Sequence, residues 1–232
     1  MTVPTALESV LTIAGLTLRR LLRGRALWVS AVIAAMPVLF ALVMRGYAQW
    51  GTLADDLLVF EMLALAVLPP MFVAGAIGDE IEDRTITYLW SRPVPRWTML
   101  AGKLVALAPA ASALMVSSWF VALMIGTEEA PLRSLLGVGL GALGGCLIAT
   151  GISTLVPKHG MALSVSYMLF FDLPVGALPA SVQYLSITQQ VRVIVNFDGT
   201  WVQSTAGAVI ALLAIGGVWL AIGVLRVRRL EA

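Results

Sequence analysis

The sequence has few charged residues. Only 12% of its 232 residues are Asp, Glu, Lys or Arg, whereas an ordinary soluble domain has roughly a quarter. A soluble domain of this length needs a polar surface, and so few charges cannot provide one. Because 59% of the residues are hydrophobic and the mean hydropathy is +0.94, we expect most of the surface to face lipid.

Other scarcities exclude several classes of function. The single cysteine, Cys146, excludes an internal disulfide and a CxxC metal site. The net charge of +2 gives no reason to expect a nucleic-acid partner. The phosphate-binding pattern GxxxxGK[ST] is absent from the sequence, so this chain is not predicted to hydrolyse ATP itself. We predict no metal site, no catalytic residue and no cofactor in the chain.

The charges lie between uncharged stretches that are long enough to cross a bilayer, which takes about 20 residues. These stretches do not alternate with a period of two, so helices are favoured over barrel strands. The fifth stretch contains Asp172 and is expected to lose its helical character near Pro174 and Pro179. We therefore predict an all-α integral membrane protein with six transmembrane helices, over residues 26–44, 57–78, 104–127, 134–157, 160–178 and 202–225.

Basic residues predict the orientation, because Lys and Arg stay on the cytoplasmic side. With a cytoplasmic N-terminus, only Arg45, Arg133 and Arg192 of the 15 basic residues fall outside. We therefore expect both termini in the cytoplasm and a multi-pass protein of the plasma (inner) membrane.

The segment before the first span is predicted to be an interfacial helix over residues 4–24. Its apolar residues recur at spacings of three and four, as in Leu7, Val10, Leu11 and Ala14. This pattern suits a helix lying on the inner leaflet with its arginines near anionic headgroups. The alternative is a plain extension of the first span.

The connection over residues 79–103 has the most specific sequence pattern of all the connections between spans. With the preceding glycine it reads GDEIEDRTITYLWSRPVPRWTMLAGK. Acidic residues at its start favour the N-terminus of a short helix; Pro93 ends that helix, and Pro95 suits the first turn of the next one. Composition alone predicts only a solvated loop between two helices.

The order of residues in this loop resembles the cytoplasmic loop of type-2 ATP-binding-cassette (ABC) transporter permeases. The similarity rests on the acidic pair, Arg-Thr-Ile, Ser-Arg-Pro-Val and the Gly-Lys that opens the third span. The resemblance implies that the loop is a coupling helix that docks into a separate cytoplasmic ABC ATPase. The residues it assigns to this contact are Glu80, Glu82, Arg84, Thr85, Ile86, Leu89, Ser91, Arg92, Pro93, Val94, Arg96 and Lys103.

The resemblance also implies partners. Two ATPase copies would bind the ATP and Mg, and a second permease subunit, most simply an identical one forming a homodimer, would complete the complex. The first hypothesis is export of a substrate. The second is force transmission to an extracytoplasmic partner protein without transport. In the family, the segment that corresponds to residues 179–201 caps the pathway on the outer side. In this chain we expect that segment to form one or two short helices at the outer interface.

Two spans contain a carboxylate, which is costly in a bilayer. Glu61 and Asp172 are candidates for lining a pathway. The alternatives are that Glu61 sits at interface depth beside Arg45, and that Asp172 caps the helix before Pro174.

Small residues recur every fourth position in the fourth span, at Gly137, Gly141, Gly145 and Ala149. This spacing lets a neighbouring helix approach closely. Whether that helix belongs to the same chain or to a second subunit is left open.

A competing pattern, EExxxR, is formed by Glu128, Glu129 and Arg133 and resembles a motif of intramembrane proteases. Such enzymes need further histidines, and the sequence has only His159, on the predicted opposite side of the membrane. Pro131 would also break a catalytic helix. The evidence for an intramembrane hydrolase is therefore weak, and the third hypothesis is such a hydrolase or a stand-alone carrier.

Overall fold

The computed structural model describes residues 5–45, 50–82, 97–127, 129–179, 181–195 and 203–229. Within these ranges every regular element is helical. Six helical stretches are long and apolar enough to cross a membrane: Leu27–Met44, Leu53–Ile77, Trp97–Gly126, Leu132–Leu155, Pro157–Ala177 and Thr205–Val227. The prediction of an all-α membrane protein with six spans is confirmed.

The helices are α1 (Ala6–Arg23), α2 (Arg25–Met44), α3 (Trp50–Glu82), α4 (Trp97–Gly126), α5 (Leu132–Leu155), α6 (Gly160–Tyr167), α7 (Leu173–Ala177), α8 (Ile187–Val195) and α9 (Thr205–Arg229). Two of them exceed their predicted spans. α3 begins seven residues before position 57 and continues through the acidic residues after position 78, and α4 begins at Trp97. Helical backbone therefore extends into both ends of the loop over residues 79–103.

The start of the first helix is fixed by hydrogen bonds between Thr5 and Glu8. The Thr5 hydroxyl accepts a hydrogen bond from the Glu8 N–H at 3.3 Å, and the Glu8 carboxylate accepts one from the Thr5 N–H at 2.8 Å, which is a capping box. Leu7, Leu11 and Leu22 are exposed along one side. α1 thus has one apolar side that packs on α4 and another that is free to face lipid.

The six spans form one bundle in which α3 and α5 are the most buried and α2 and α9 the most exposed. Large side chains from α3, α4 and α5 fill the centre, among them Leu65, Trp119 and Ile148, each fully buried. The outer faces carry exposed apolar residues such as Val32, Phe170 and Ile210. Since these faces have no polar coat, lipid is their natural solvent.

The fifth span is a composite. A 3₁₀ turn, Pro157–His159, leads into α6, a π-helical turn follows over Met168–Asp172, and α7 completes the span. Helical structure passes through Pro174 and ends at Ala177, so the helical character expected to be lost near Pro174 and Pro179 is lost just before Pro179 and not at Pro174. A proline lacks an N–H and crowds the carbonyl four residues earlier. The wider π turn directly before Pro174 accommodates both effects.

The two ends of the bundle contain different elements. The α1 end contains α1, the start of α4 and the turn Pro157–His159. The Arg133 end contains the starts of α3 and α5. α9 runs from the Arg133 end, near Gln203, to the α1 end, where Gly223 approaches Thr154.

Candidate functional site

At the α1 end, α3 and α4 are joined close to the loop that connects them. Lys103 of α4 is buried, and its Nζ donates a hydrogen bond to the carbonyl oxygen of Ala76 in α3 at 2.5 Å. A charged donor makes a stronger bond than a neutral one. The last turns of α3 and the first turns of α4 are therefore held together.

The same joint includes α1. A Cβ at Gly102 would lie 2.8 Å from the Ile13 Cβ and 2.9 Å from the Val10 carbonyl oxygen. Only a glycine permits α1 and α4 to approach this closely. Gly102 and Lys103, the Gly-Lys pair of the sequence pattern, thus bind α4 to α1 on one side and to α3 on the other.

Three of the predicted ATPase contacts lie among the described residues. Glu80 and Glu82 lie in the last turn of α3. Lys103 is 1% exposed and forms the joint just described. The remaining residues lie outside the described residues: Arg84, Thr85, Ile86, Leu89, Ser91, Arg92, Pro93, Val94 and Arg96. Their contact with an ATPase stays a prediction.

In the other half of the bundle, α8 packs along the glycines of α5. A Cβ atom placed on Gly137 would lie 3.0 Å from Ile194, and one placed on Gly144 would lie 2.8 Å from Ile187. A Cβ atom on Gly141 would overlap the side chain of Val191. α8 therefore runs antiparallel to the first half of α5. The predicted stripe of small residues has neighbours within the same chain, since Gly145 also meets Pro69 of α3 at 3.1 Å. Ala149, the last of the stripe, is fully buried.

These contacts place the start of α8 deep in the bundle. Gly144, which meets Ile187, lies twelve residues into a helix of 24 residues, or about 18 Å from its start at 1.5 Å per residue. The first N–H groups of a helix have no partner within that helix. At membrane depth, water is not available to satisfy them, so α8 needs a partner at its N-terminus.

Asp172 provides that partner. One carboxylate oxygen accepts from the Ile187 N–H at 2.9 Å, and the other accepts from the Thr188 N–H at 3.0 Å and the Ser186 hydroxyl at 3.1 Å. The Ser186 oxygen in turn accepts from the Gln189 N–H at 3.2 Å. A negative charge at a helix N-terminus is favourable. Asp172 is 1% exposed and caps α8. The alternative considered from the sequence was that Asp172 caps its own helix before Pro174.

The opposite end of α8 is held by Arg133. Its Nε donates to the Ile194 carbonyl at 2.6 Å, and its Nη2 donates to the Val193 carbonyl at 3.0 Å. A cation satisfies the free carbonyls at a helix C-terminus. α7 and α8 thus form a hairpin within the bundle, and α8 is fixed at both of its ends. Local sequence patterns carry no signal for this contact, because the partners lie 60 and 61 residues apart.

Glu61 lies in α3, where α2 and α4 pack against it. It is 0% exposed, and neither carboxylate oxygen has a hydrogen-bond partner among the described residues. The Ser118 hydroxyl of α4 lies close by, but its proton is directed to the Ala34 carbonyl of α2 at 2.5 Å. In this conformation Glu61 is enclosed by protein, and its contact with a pathway stays a prediction.

The residues of the competing hydrolase pattern are far apart. Arg133 binds the end of α8, and Glu129 is exposed beside it at the Arg133 end. His159 is exposed in the turn at the α1 end. Glu128 lies outside the described residues. The one histidine of the sequence and the described part of the EExxxR pattern are thus separated by the length of the bundle.

Comparison with known proteins adds one finding. A family model described as "ABC-2 family transporter protein" matches residues 19–157. The matched range includes α2 to α5 and the joint at the α1 end, and it exceeds half of the 232 residues. The hairpin that contains α8 lies after it. No curated protein matches the chain.

Proposed function

The chain belongs to the ABC-2 family of transporter proteins, and we propose that it is the permease subunit that couples ATP hydrolysis by a separate ATPase to export of a substrate. The observation that carries the coupling proposal is the joint formed by Gly102 and Lys103. It lies inside the range that matches the family and directly follows the loop with the resembling sequence.

The proposed mechanism begins at the loop over residues 83–96. Two ATPase subunits that close on ATP would displace this loop, and the displacement would pass into α3 and α4 together, because Lys103 bonds to Ala76. α1 would move with them, since Gly102 leaves no gap between α1 and α4. Packed helices respond to such displacement by shifting as rigid bodies.

The remaining parts of the proposal concern the partners. ATP and Mg bind to the ATPase, two copies of which serve a pair of identical permease subunits. Basic residues stay on the cytoplasmic side, so the α1 end, with Arg19, Arg23 and Lys158, faces the cytoplasm of a cell whose plasma membrane contains the complex. The Arg133 end then faces outward.

Force transmission to an extracytoplasmic protein is the second candidate. The enclosed positions of Glu61 and Asp172 favour it, because neither carboxylate lines an open path in this conformation. A continuous cavity between two permease copies that reaches the Arg133 end would favour export, whereas a closed interface bound to a large outer protein would favour force transmission.

The experiment is to purify the tagged chain from its native membrane and to measure ATP hydrolysis by the purified complex. Reversing a charge in the loop, Glu82→Lys, should remove most of the co-purifying hydrolysis. The matched control is Glu129→Lys, because Glu129 is exposed at the opposite end; it should leave hydrolysis unchanged. The proposal would be contradicted if the two variants co-purified with equal ATP hydrolysis. It would also be contradicted if the unchanged chain co-purified with no ATP hydrolysis.

A further inference from the structure

The buried carboxyl group of Glu61 is not accounted for by the coupling mechanism. Its two neighbours on the same side of α3 show how tightly the region is closed. One turn before it, the Leu57 Cδ1 would lie 2.8 Å from a Cβ at Gly126, and one turn after it, the Leu65 Cδ1 would lie 2.9 Å from a Cβ at Gly141. Glu61 thus lies between two close helix contacts, and its own side chain is fully buried.

A negative charge in this position would be unfavourable. A charged side chain at the centre of a membrane helix is costly to insert, because the bilayer core cannot solvate it. That cost falls when the charge is paired or hydrogen-bonded. Within the described residues, neither oxygen of Glu61 accepts a hydrogen bond.

The charged groups on the helices around Glu61 are engaged or distant. Lys103 of α4 donates to Ala76, fifteen residues along α3 from Glu61, or about 22 Å. Arg133 of α5 binds the carbonyls that end α8. The carboxylate of Asp172 accepts the hydrogen bonds that begin α8.

The other ionisable groups near these helices lie toward one or the other end of the bundle. Asp55, Asp56 and Arg45 are exposed toward the Arg133 end, and Lys158 and His159 are exposed at the α1 end. The described side chains of α2 and α6 add no further charge next to the carboxyl.

From this geometry we propose that Glu61 is a proton-binding site within the membrane. The carboxyl holds a proton in the closed conformation and exchanges it with water only when α2, α3 and α4 separate. The ligand is a proton taken from water and returned to water, so no further reactant is needed. The site belongs to the chain alone and does not depend on the pairing with an ATPase.

The test is infrared spectroscopy of the full chain, reconstituted without ATPase in vesicles of zwitterionic lipid. At about pH 8 an exposed carboxyl group is ionised, and the C=O stretching band of an un-ionised carboxyl should come only from enclosed groups. We expect the unchanged chain to show this band at the same amplitude at about pH 6 and pH 8. Absence of the band at the higher pH would overturn the proposal without any variant.

Variants assign the band to one residue. Glu61→Gln should remove it, and Glu129→Gln, which changes an exposed glutamate, should leave it. If the glutamine variant does not fold, Glu61→Met supplies the same comparison, because it is neutral, of similar length and brings no N–H to satisfy. A band that survives the loss of Glu61 would belong to another carboxyl and would also overturn the proposal.

Discussion

Replacing Asp172 by asparagine should loosen α8 without unfolding the bundle. The carboxylate accepts two backbone N–H groups, one on each oxygen. An asparagine has one oxygen and one NH₂ group, so one of the two N–H groups would meet a donor instead of an acceptor. Losing a hydrogen bond to a charged group costs about 1.5–3 kcal/mol. Asp172→Ala removes both of these bonds as well as the one from the Ser186 hydroxyl, and should cost at least about twice as much.

The assay is amide hydrogen exchange of the purified chain in lipid nanodiscs. Local opening sets the exchange rate of a protected amide, and each 1.36 kcal/mol corresponds to a factor of ten. We therefore expect the α8 amides to exchange about 10- to 150-fold faster in Asp172→Asn. Amides of α3 and α5 should keep their protection, because their own hydrogen bonds are unaffected.

The matched control is Asp56→Asn, since Asp56 is exposed and its charge change is the same. It should leave exchange in α8 unaltered. Equal exchange of α8 in the unchanged chain and in Asp172→Asn would refute the capping role of Asp172. A uniform acceleration in every helix would also refute it, because the predicted effect is local.

Three further predictions concern the other contacts. Arg133→Met should expose the last turn of α8, at a cost of about 1.5–3 kcal/mol for each of the two lost bonds to carbonyls, measured as faster exchange of amides near Val195 than near Ile187. Gly102→Val should lower the thermal unfolding temperature, since overpacking costs about 1–3 kcal/mol, while Gly217→Val, where a Cβ meets nothing within 4 Å, should not; equal effects would contradict the tight contact of α1 with α4. Lys103→Met keeps the buried stem but removes the bond to Ala76, so ATP hydrolysis by the complex should continue while substrate export, or the common movement of α3 and α4, falls; full coupling in this variant would contradict the joint.

The sequence was sufficient to predict the transmembrane helices, because lipid imposes a simple requirement on any segment that crosses it. A segment that crosses a bilayer must satisfy its backbone internally and expose apolar side chains, so the uncharged stretches between Arg25 and Arg226 mark the spans. Helix ends were less accurate. α3 continues to Glu82 because a helix need not stop where its apolar part stops, and Pro174 does not end the fifth span because a π turn precedes it.

Tertiary contacts limited what the sequence could say about the site. The four-residue spacing of Gly137 and Gly141 indicated a close helix contact, but periodicity defines only a face and not the helix that covers it. That α8 is this neighbour depends on Asp172 and Arg133, whose partners are distant in the chain. The enclosure of Glu61 likewise arises from side chains that three helices bring together. The position of Glu61 along α3 therefore did not indicate that its side chain would be enclosed.

The most direct test of ATPase coupling is site-specific photo-crosslinking in the native membrane. A photoreactive amino acid would be placed at Ile86 in the loop, and in a second protein at Glu129 on the opposite side. We expect the probe at position 86 to crosslink to an ATP-binding protein, with a yield that changes when ATP is added, and the probe at position 129 to give no such product. The proposal that the ATPase binds this loop would be contradicted if the probe at position 129 crosslinked to an ATP-binding protein. It would also be contradicted if neither probe did so.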